Sequence, residues 1–180
     1  MMKKTVDEVI RNRRSTRSFT DYIVSDTELM EILSAGIMAP SGKNRRPWRF
    51  VIVRNREAIK NIARHVRYSR FIRKVPQMIL IYAEDDAAYP FEKDLIGIGA
   101  CIENILLTGI EKDYGSCVIG ELFDEQDEIS QYIDVNIVGL KLICGIVIGR
   151  SAEPIIDRVP LDALDYVIGS VECVQNNYDT

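Results

Sequence analysis

The chain is expected to fold as one α+β or α/β domain, with four or five strands in a single sheet and helices covering it. Three observations carry this. Helix-period and strand-like apolar runs alternate along the 180 residues, with no repeat, low-complexity segment or linker. A composition of 47% hydrophobic and 28% charged residues is that of a globular domain with enough chain to bury a sizeable core. No apolar run reaches the ~20 residues needed to span a bilayer, so the expectation is a single domain over residues 1–180 with no membrane association.

Residues 5–12 read as a short helix. Val6, Val9 and Ile10 share a face, and Asp7 and Glu8 stand in the first turn, where acids suit the helix dipole. Residues 13–21 read as irregular. A second helix starts at Ser25, with Glu28 three residues on as a capping box, runs through Leu29, Ile32, Leu33, Gly36 and Ile37, and stops before Pro40. A loop at 41–47 leads into a strand at 48–53. Residues 57–64 read as helical, and 67–74 as a basic connection interspersed with Tyr68 and Phe71.

Residues 77–83 are apolar without alternation, as in a strand buried on both faces, and 84–90 form a loop. Residues 94–113 form a helix whose apolar positions wrap nearly the whole circumference. Such a helix needs cover on all sides. One subunit of this size can hardly provide it, so a second copy is expected to pack there. Glycine chemistry at Tyr114-Gly115-Ser116 ends it. A short strand at 117–119, a helix at 124–133 with Asp124 as cap, a central strand at 140–148 and a helical stretch at 161–164 complete the chain.

The net charge of −4 is unevenly spread: residues 1–74 carry 18 Lys/Arg against 7 Asp/Glu, and residues 75–180 carry 5 against 20. Such asymmetry fits nucleic-acid binding, an anion site, or complementary halves of one fold. The cations fall on several elements and not on one helix face, which argues against nucleic acid. Four cysteines (Cys101, Cys117, Cys144, Cys173) stand far apart with no histidine nearby, against both a zinc site and a disulfide framework. The basic start lacks an apolar core behind it, so no secretory signal is expected, and reduced thiols suit a cytoplasmic protein.

Two basic segments hold the chemistry. In Arg13-Arg14-Ser15-Thr16-Arg17-Ser18-Phe19, alternate side chains of an extended turn let Arg13, Ser15 and Arg17 face one ligand. Arginine forks suit phosphate oxygens and the N1–C2=O2 edge of a flavin. In residues 39–50, Ala-Pro-Ser-Gly-Lys-Asn-Arg-Arg-Pro-Trp-Arg-Phe, a stiff turn offers the Ser41 hydroxyl and the Asn44 amide, which both donates and accepts. One helix separates the segments, so both can converge on one site, and a phosphate-bearing cofactor is the ligand they suggest. Trp48 and Phe50 read as core at a strand start, with stacking on a ligand as the alternative for Trp48. His65, the one histidine, reads as structural or solvated. Gly97-Ile98-Gly99 lacks the third glycine and preceding strand of a dinucleotide fingerprint and reads as close helix packing. Cys117 reads as a buried small hydrophobe. No paired-carboxylate or metal-ligand spacing is present, so neither a catalytic protein group nor a metal is expected.

These segments resemble those of the FMN-dependent nitroreductases: an Arg-x-Ser-x-(Arg/Lys)-x-Phe stretch, then (Ala/Ser)-Pro-Ser-x-x-Asn-x-Gln-Pro-Trp-x-Phe about one helix later. The resemblance continues through 97–109, similar to the family's central dimer helix, Gly115-Ser116-Cys117-Val118-Ile119-Gly120, Ile148-Gly149-Arg150 and Arg158-Val159-Pro160-Leu161. It implies an α+β nitroreductase-like fold, with a mostly antiparallel sheet flanked by helices in an intertwined homodimer. It also implies FMN, reduced by NADH or NADPH and reoxidised in ping-pong fashion by a small electron-poor acceptor such as a nitroaromatic or quinone.

By the resemblance, Arg13, Arg14, Ser15 and Arg17 bind FMN, with Arg13 or Arg14 on the phosphate, Arg17 near N1/O2, and Arg158 completing the phosphate site. Pro40, Ser41 and Asn44 would reach the flavin of the partner subunit, and backbone near Ile119 and Gly120 its N5/O4 side. Arg46 replaces the family's Gln and puts a cation near the ring or channel; Val118 replaces a Trp. A reductase of the same fold acting on an anionic substrate, and a flavin-holding protein with little turnover, are the alternatives.

Overall fold

The computed structural model describes residues 4–67, 69–154 and 161–169. Its centre is a four-stranded antiparallel sheet of order β1-β2-β4-β3, built from β1 (Trp48–Val53), β2 (Met78–Glu84), β3 (Gly115–Ile119) and β4 (Leu140–Gly149). Phe50 pairs with Ile81, Ile79 with Ile146, and Cys117 with Val147. β2 and β4 lie centrally, which is why both read as unbroken apolar runs: Ile79 and Ile81 face one core, Met78, Leu80 and Tyr82 the other.

Helices α2 (Asp26–Gly36) and α5 (Phe91–Glu111) cover the first face, and Leu29, Ile32, Ile98 and Ile105 meet the sheet there. The opposite face is covered by α3 (Arg56–Ile62), α4 (Ser69–Ile72) and α6 (Gln126–Ser130), with Ile59, Ile62, Ile72 and Ile129 buried. α1 (Val6–Asn12) starts on the Thr5–Glu8 capping box and packs on α5, where Lys4 Nζ donates to the Ile110 carbonyl at 2.6 Å. Ser25 caps α2 as expected, and Trp48 is core.

Several boundaries differ from the sequence expectation. α5 begins three residues earlier, at Phe91, because Pro90 is tolerated just before a first turn. α6 is only five residues; a 3-10 turn over Gly120–Asp124 precedes it and takes up Asp124, so that Glu125 and not Asp124 is its N-cap. The basic connection contains α4, and the C-terminal 3-10 turn is Ala163–Tyr166 rather than 161–164. α5 is also less covered than its apolarity suggests. Ile98, Cys101 and Ile105 are fully buried, but Ile96 is 76% exposed and Gly99 meets nothing within 4 Å.

In place of a fifth strand, the extended segment after α1 lies along the free edge of β3. Ser15 forms an isolated parallel bridge with Ser116, and Phe19 bridges Ser151 beyond β4. The edge of β3 is thereby met at Ser116 by the segment that the sequence marks as functional.

Candidate functional site

The segment at 13–20 is held at both ends. Arg13 caps α1, its N–H bonded to the Val9 carbonyl at 3.0 Å. Thr16, 3% exposed, donates its backbone N–H to Ser116 at 2.8 Å. Ala152 N–H donates to the Ser18 carbonyl at 2.9 Å, Thr20 N–H to that of Arg150 at 3.0 Å, and Arg17 N–H to Glu153 Oε1 at 2.9 Å. The side chains therefore leave a fixed backbone.

They do not share one ligand face. Arg13, anchored to the last helical turn, places its Nε 3.4 Å from Glu103 Oε1 on α5. Arg14 and Thr16 line a cleft of about 400 Å³ with Lys4, Tyr114 and Arg150. Arg17 lines a larger cleft of about 930 Å³ with Ser18 and Phe19. Ser15 lies close enough to Cys117 to hydrogen-bond its thiol. Burial pushes that thiol up, and the charge of Arg17 and the Ser15 contact offset part of the effect.

Across the large cleft stand Arg67, Arg70, Phe71 and Lys74. Among the described residues that line the cleft none is acidic, and four cations focus positive potential into one concavity. Glu121 accepts the Arg67 backbone N–H at 2.7 Å and ties this wall to the turn following β3. The sequence marks the 67–74 stretch as basic and offers Arg70, Arg73 and Lys74 as candidate substitutes for the family's further flavin contacts, without deciding among them. Of the wall residues, only Arg70 and Phe71 lie within α4, and Arg67 and Lys74 flank it.

β3 ends at Ile119, which is buried, and Gly120 beyond it is exposed with nothing within 4 Å of where a Cβ would stand. The segment at 40–46 lines a different cleft, of about 770 Å³, with Met38, Trp48, Arg49 and Phe50. Pro40 and Asn44 are exposed there; Ser41 Oγ accepts the Arg46 backbone N–H at 2.9 Å, and Asn44 Oδ1 accepts Arg46 Nε at 3.1 Å. One subunit thus keeps the two basic segments in separate clefts, and the convergence read from their spacing does not occur within the chain. Arg158 lies outside the described residues.

His65 is structural: Nδ1 lies 2.9 Å from Glu125 Oε2 and Nε2 3.3 Å from the Tyr132 hydroxyl. Gly97 packs closely, since a Cβ there would stand 2.9 Å from the Pro40 carbonyl. Among the described residues no cluster could hold a metal ion, and no helix is long and apolar enough to cross a membrane.

A family model described as the nitroreductase family matches residues 10–69, which hold the first basic segment, the second, and one wall of the large cleft. The fold superposes on a Desulfovibrio desulfuricans protein assigned as a nitroreductase and crystallised with FMN. That match has a TM-score of 0.81 and 30% identity, and covers 96% of this chain and 100% of that one. The chain belongs to the nitroreductase family. A family relative in Archaeoglobus fulgidus, assigned as an NADH dehydrogenase/NAD(P)H nitroreductase, is 32% identical over 114 residues, 63% of this chain and 66% of the relative. An oxygen-insensitive NADPH nitroreductase of Helicobacter pylori is 32% identical over 75 residues, 41% of this chain and 36% of that protein. The matched segments thus span less than two thirds of these curated relatives.

Proposed function

We propose that this chain is an FMN-dependent oxidoreductase that carries hydride from NADH or NADPH to an electron-poor small-molecule acceptor, as a homodimer in the cytoplasm. The observation that carries the reading is the cationic cleft between Arg17 and the 67–74 wall. Its volume, about 930 Å³, lies within the usual range for cofactor sites, and the residues fit the group. Arg17, Arg67, Arg70 and Lys74 answer a phosphate and an electron-rich ring edge, Phe19 and Phe71 offer apolar walls, and the open space at Gly120 admits close approach to backbone. FMN, when bound, supplies the redox chemistry, taking hydride from the reductant and giving it to the acceptor in two separate half-reactions. The protein's part is to bind, orient and charge-stabilise, and no side-chain acid or base is assigned.

The homodimer reading rests on exposed apolar surface. Val6 and Ile10 on α1, Ile96 on α5, Met38 after α2, and Leu161, Tyr166 and Val167 near the C-terminal end are all at least half exposed. A second copy covering these would bring Pro40, Ser41 and Asn44 to the partner's flavin and so unite the two basic segments.

The test is spectroscopic. The purified chain should carry or take up FMN, and NADH or NADPH should bleach the flavin absorbance under anaerobic conditions. A chain that refuses added FMN overturns the proposal; one that holds FMN but is not bleached by either nucleotide is a flavin holder.

A further inference from the structure

The turn at 41–46 is unusual in its backbone. Lys43, Asn44 and Arg46 have φ of 52°, 55° and 53°, and there is no glycine among them. Asparagine visits this region readily; lysine and arginine do so at an energetic cost, and such strain persists where the surroundings over-determine it. Here they do. Ser41 receives the Arg46 N–H on its hydroxyl and the Asn44 N–H on its carbonyl, both at 2.9 Å. Arg45, between the strained residues, reaches Asp86 at 2.5 Å and Asp94 at 3.5 Å, and Asp94 is only 2% exposed on α5. The Tyr89 ring lies under the Arg45 guanidinium, 4.8 Å from its centroid, and its hydroxyl occupies the space a side chain at Gly42 would need.

This clamp governs how the cleft's arginines are spent. Arg45 is held by two acids. Arg49 is held by Glu84 and by the carbonyls of Arg46 and Trp48. Arg46 is exposed, and among the described residues no carboxylate pairs with it. Among the described residues its side-chain hydrogen bond is Nε to Asn44 Oδ1, which orients the guanidinium and leaves both terminal nitrogens to the cleft. Met38, Phe50 and Trp48 supply apolar surface beside it. An oriented, unneutralised fork next to apolar walls is suited to a flat organic molecule bearing an anionic group.

We infer that Arg46 is a specificity-determining residue that reads a carboxylate or phosphate on the small molecule sharing the flavin's site. This rests on the oxidoreductase reading and on the partner-subunit placement of the 40–46 turn. The anionic group has two possible sources, the acceptor or the 2′-phosphate of NADPH, and the two half-reactions separate them.

The experiment compares wild-type holoenzyme with Arg46→Gln and Arg46→Lys. Acceptor selectivity is the ratio of kcat/KM for 4-nitrobenzoate to that for the neutral isostere 4-nitrobenzamide. Reductant selectivity is the ratio of flavin-reduction rates with NADPH and NADH. Arg46→Gln should lower one of these ratios about fivefold, the effect of one partly solvated charge pair, and Arg46→Lys should restore most of it. Raising the salt should lower the same ratio in the wild type. Loss in the first ratio assigns the anion to the acceptor, loss in the second to the nucleotide. Both ratios unchanged in Arg46→Gln overturn the inference. Calorimetric titration with benzoate separates it from the oxidoreductase reading. If the chain takes up no FMN, that reading fails alone, and Arg46-dependent benzoate binding still decides whether the turn is an anion site.

Discussion

Replacing Gly115 by alanine strikes the joint on which the cationic cleft depends. An added Cβ would stand 2.8 Å from both Cβ and Cγ2 of Thr16 and closer still to its hydroxyl, against 3.4–4 Å in ordinary contact. Thr16 is 3% exposed and β-branched, so it has few rotamers to turn into. Its backbone is bonded to Ser116, the neighbour of the substituted residue. Relief therefore requires the chain around Thr16 to lift from β3 by more than half an ångström. Overpacking of this kind costs about 1–3 kcal/mol, and alanine's smaller loss of backbone freedom returns about 0.5–1 kcal/mol. The net loss is about 1–2 kcal/mol, which lowers Tm by about 2–8 °C in a chain of this size. Calorimetry and urea unfolding measure it. Adding Thr16→Ala removes the hydroxyl and Cγ2 contacts, so the double variant should be more stable than the summed single effects by about 1 kcal/mol. FMN affinity should fall in the single variant, because Arg17 moves with Thr16. A Gly115→Ala chain as stable as the wild type, or strictly additive effects, would refute the seating of this segment on β3.

Glu at Ile96 should raise the dimer dissociation constant at least about tenfold in sedimentation while the subunit stays folded, because that side chain is exposed in one copy; an undiminished dimer would exclude that face from the interface. Glu at Ile105, fully buried within the subunit, should instead abolish folding, as circular dichroism will report. Arg17→Ala and Arg70→Ala should each weaken FMN binding about fivefold, and less at high salt, in fluorescence titrations; unchanged affinity in both removes them from the site. Burial pushes the Cys101 and Cys144 thiols and the Tyr82 phenol up to about 12. Between about pH 9 and 12 the unfolded chain releases protons that the native chain keeps, so this stability is intact at neutral pH and lost as pH rises through that window. Urea midpoints should fall accordingly, and a flat profile to about pH 11 would contradict the burial of these groups.

Much of the fold was legible because it is periodic. The unbroken apolar runs of β2 and β4 announced strands covered on both faces, and the Ser25–Glu28 pattern marked the start of α2. Boundaries set by geometry were less legible. The helix expected at 124–133 is confined to Gln126–Ser130, because the chain leaves β3 through a 3-10 turn that takes up Asp124, and no residue type announces that bend. At the site, Arg17 and the turn at 40–46 were named from residue chemistry. On the opposing wall, Arg70 and Lys74 stood among undecided candidates, and Arg67 was not named because only the fold brings it across from Arg17. Arg13 was expected to face the ligand with Arg17, but it is turned toward Glu103, an acid 90 positions away that no local pattern links to it.

What the sequence determined alone was the kind of chemistry: cations, hydroxyls and an amide in two motifs of fixed spacing, with no acid–base or metal constellation beside them. Local residue identity suffices for that, because anion recognition depends on side-chain type. What only the tertiary structure decided was which cations remain available. Arg13, Arg45 and Arg49 are paired with Glu103, with Asp86 and Asp94, and with Glu84, while Arg17 faces Arg67, Arg70 and Lys74 across a cleft whose described lining residues include no acid. Arg46 is held outward in a left-handed turn with no acid partner among the described residues. Pairing of charges is a long-range property of the fold: it depends on which acids the packing of α5 and the 84–90 loop brings within reach, and that is set by the core rather than by neighbours along the chain.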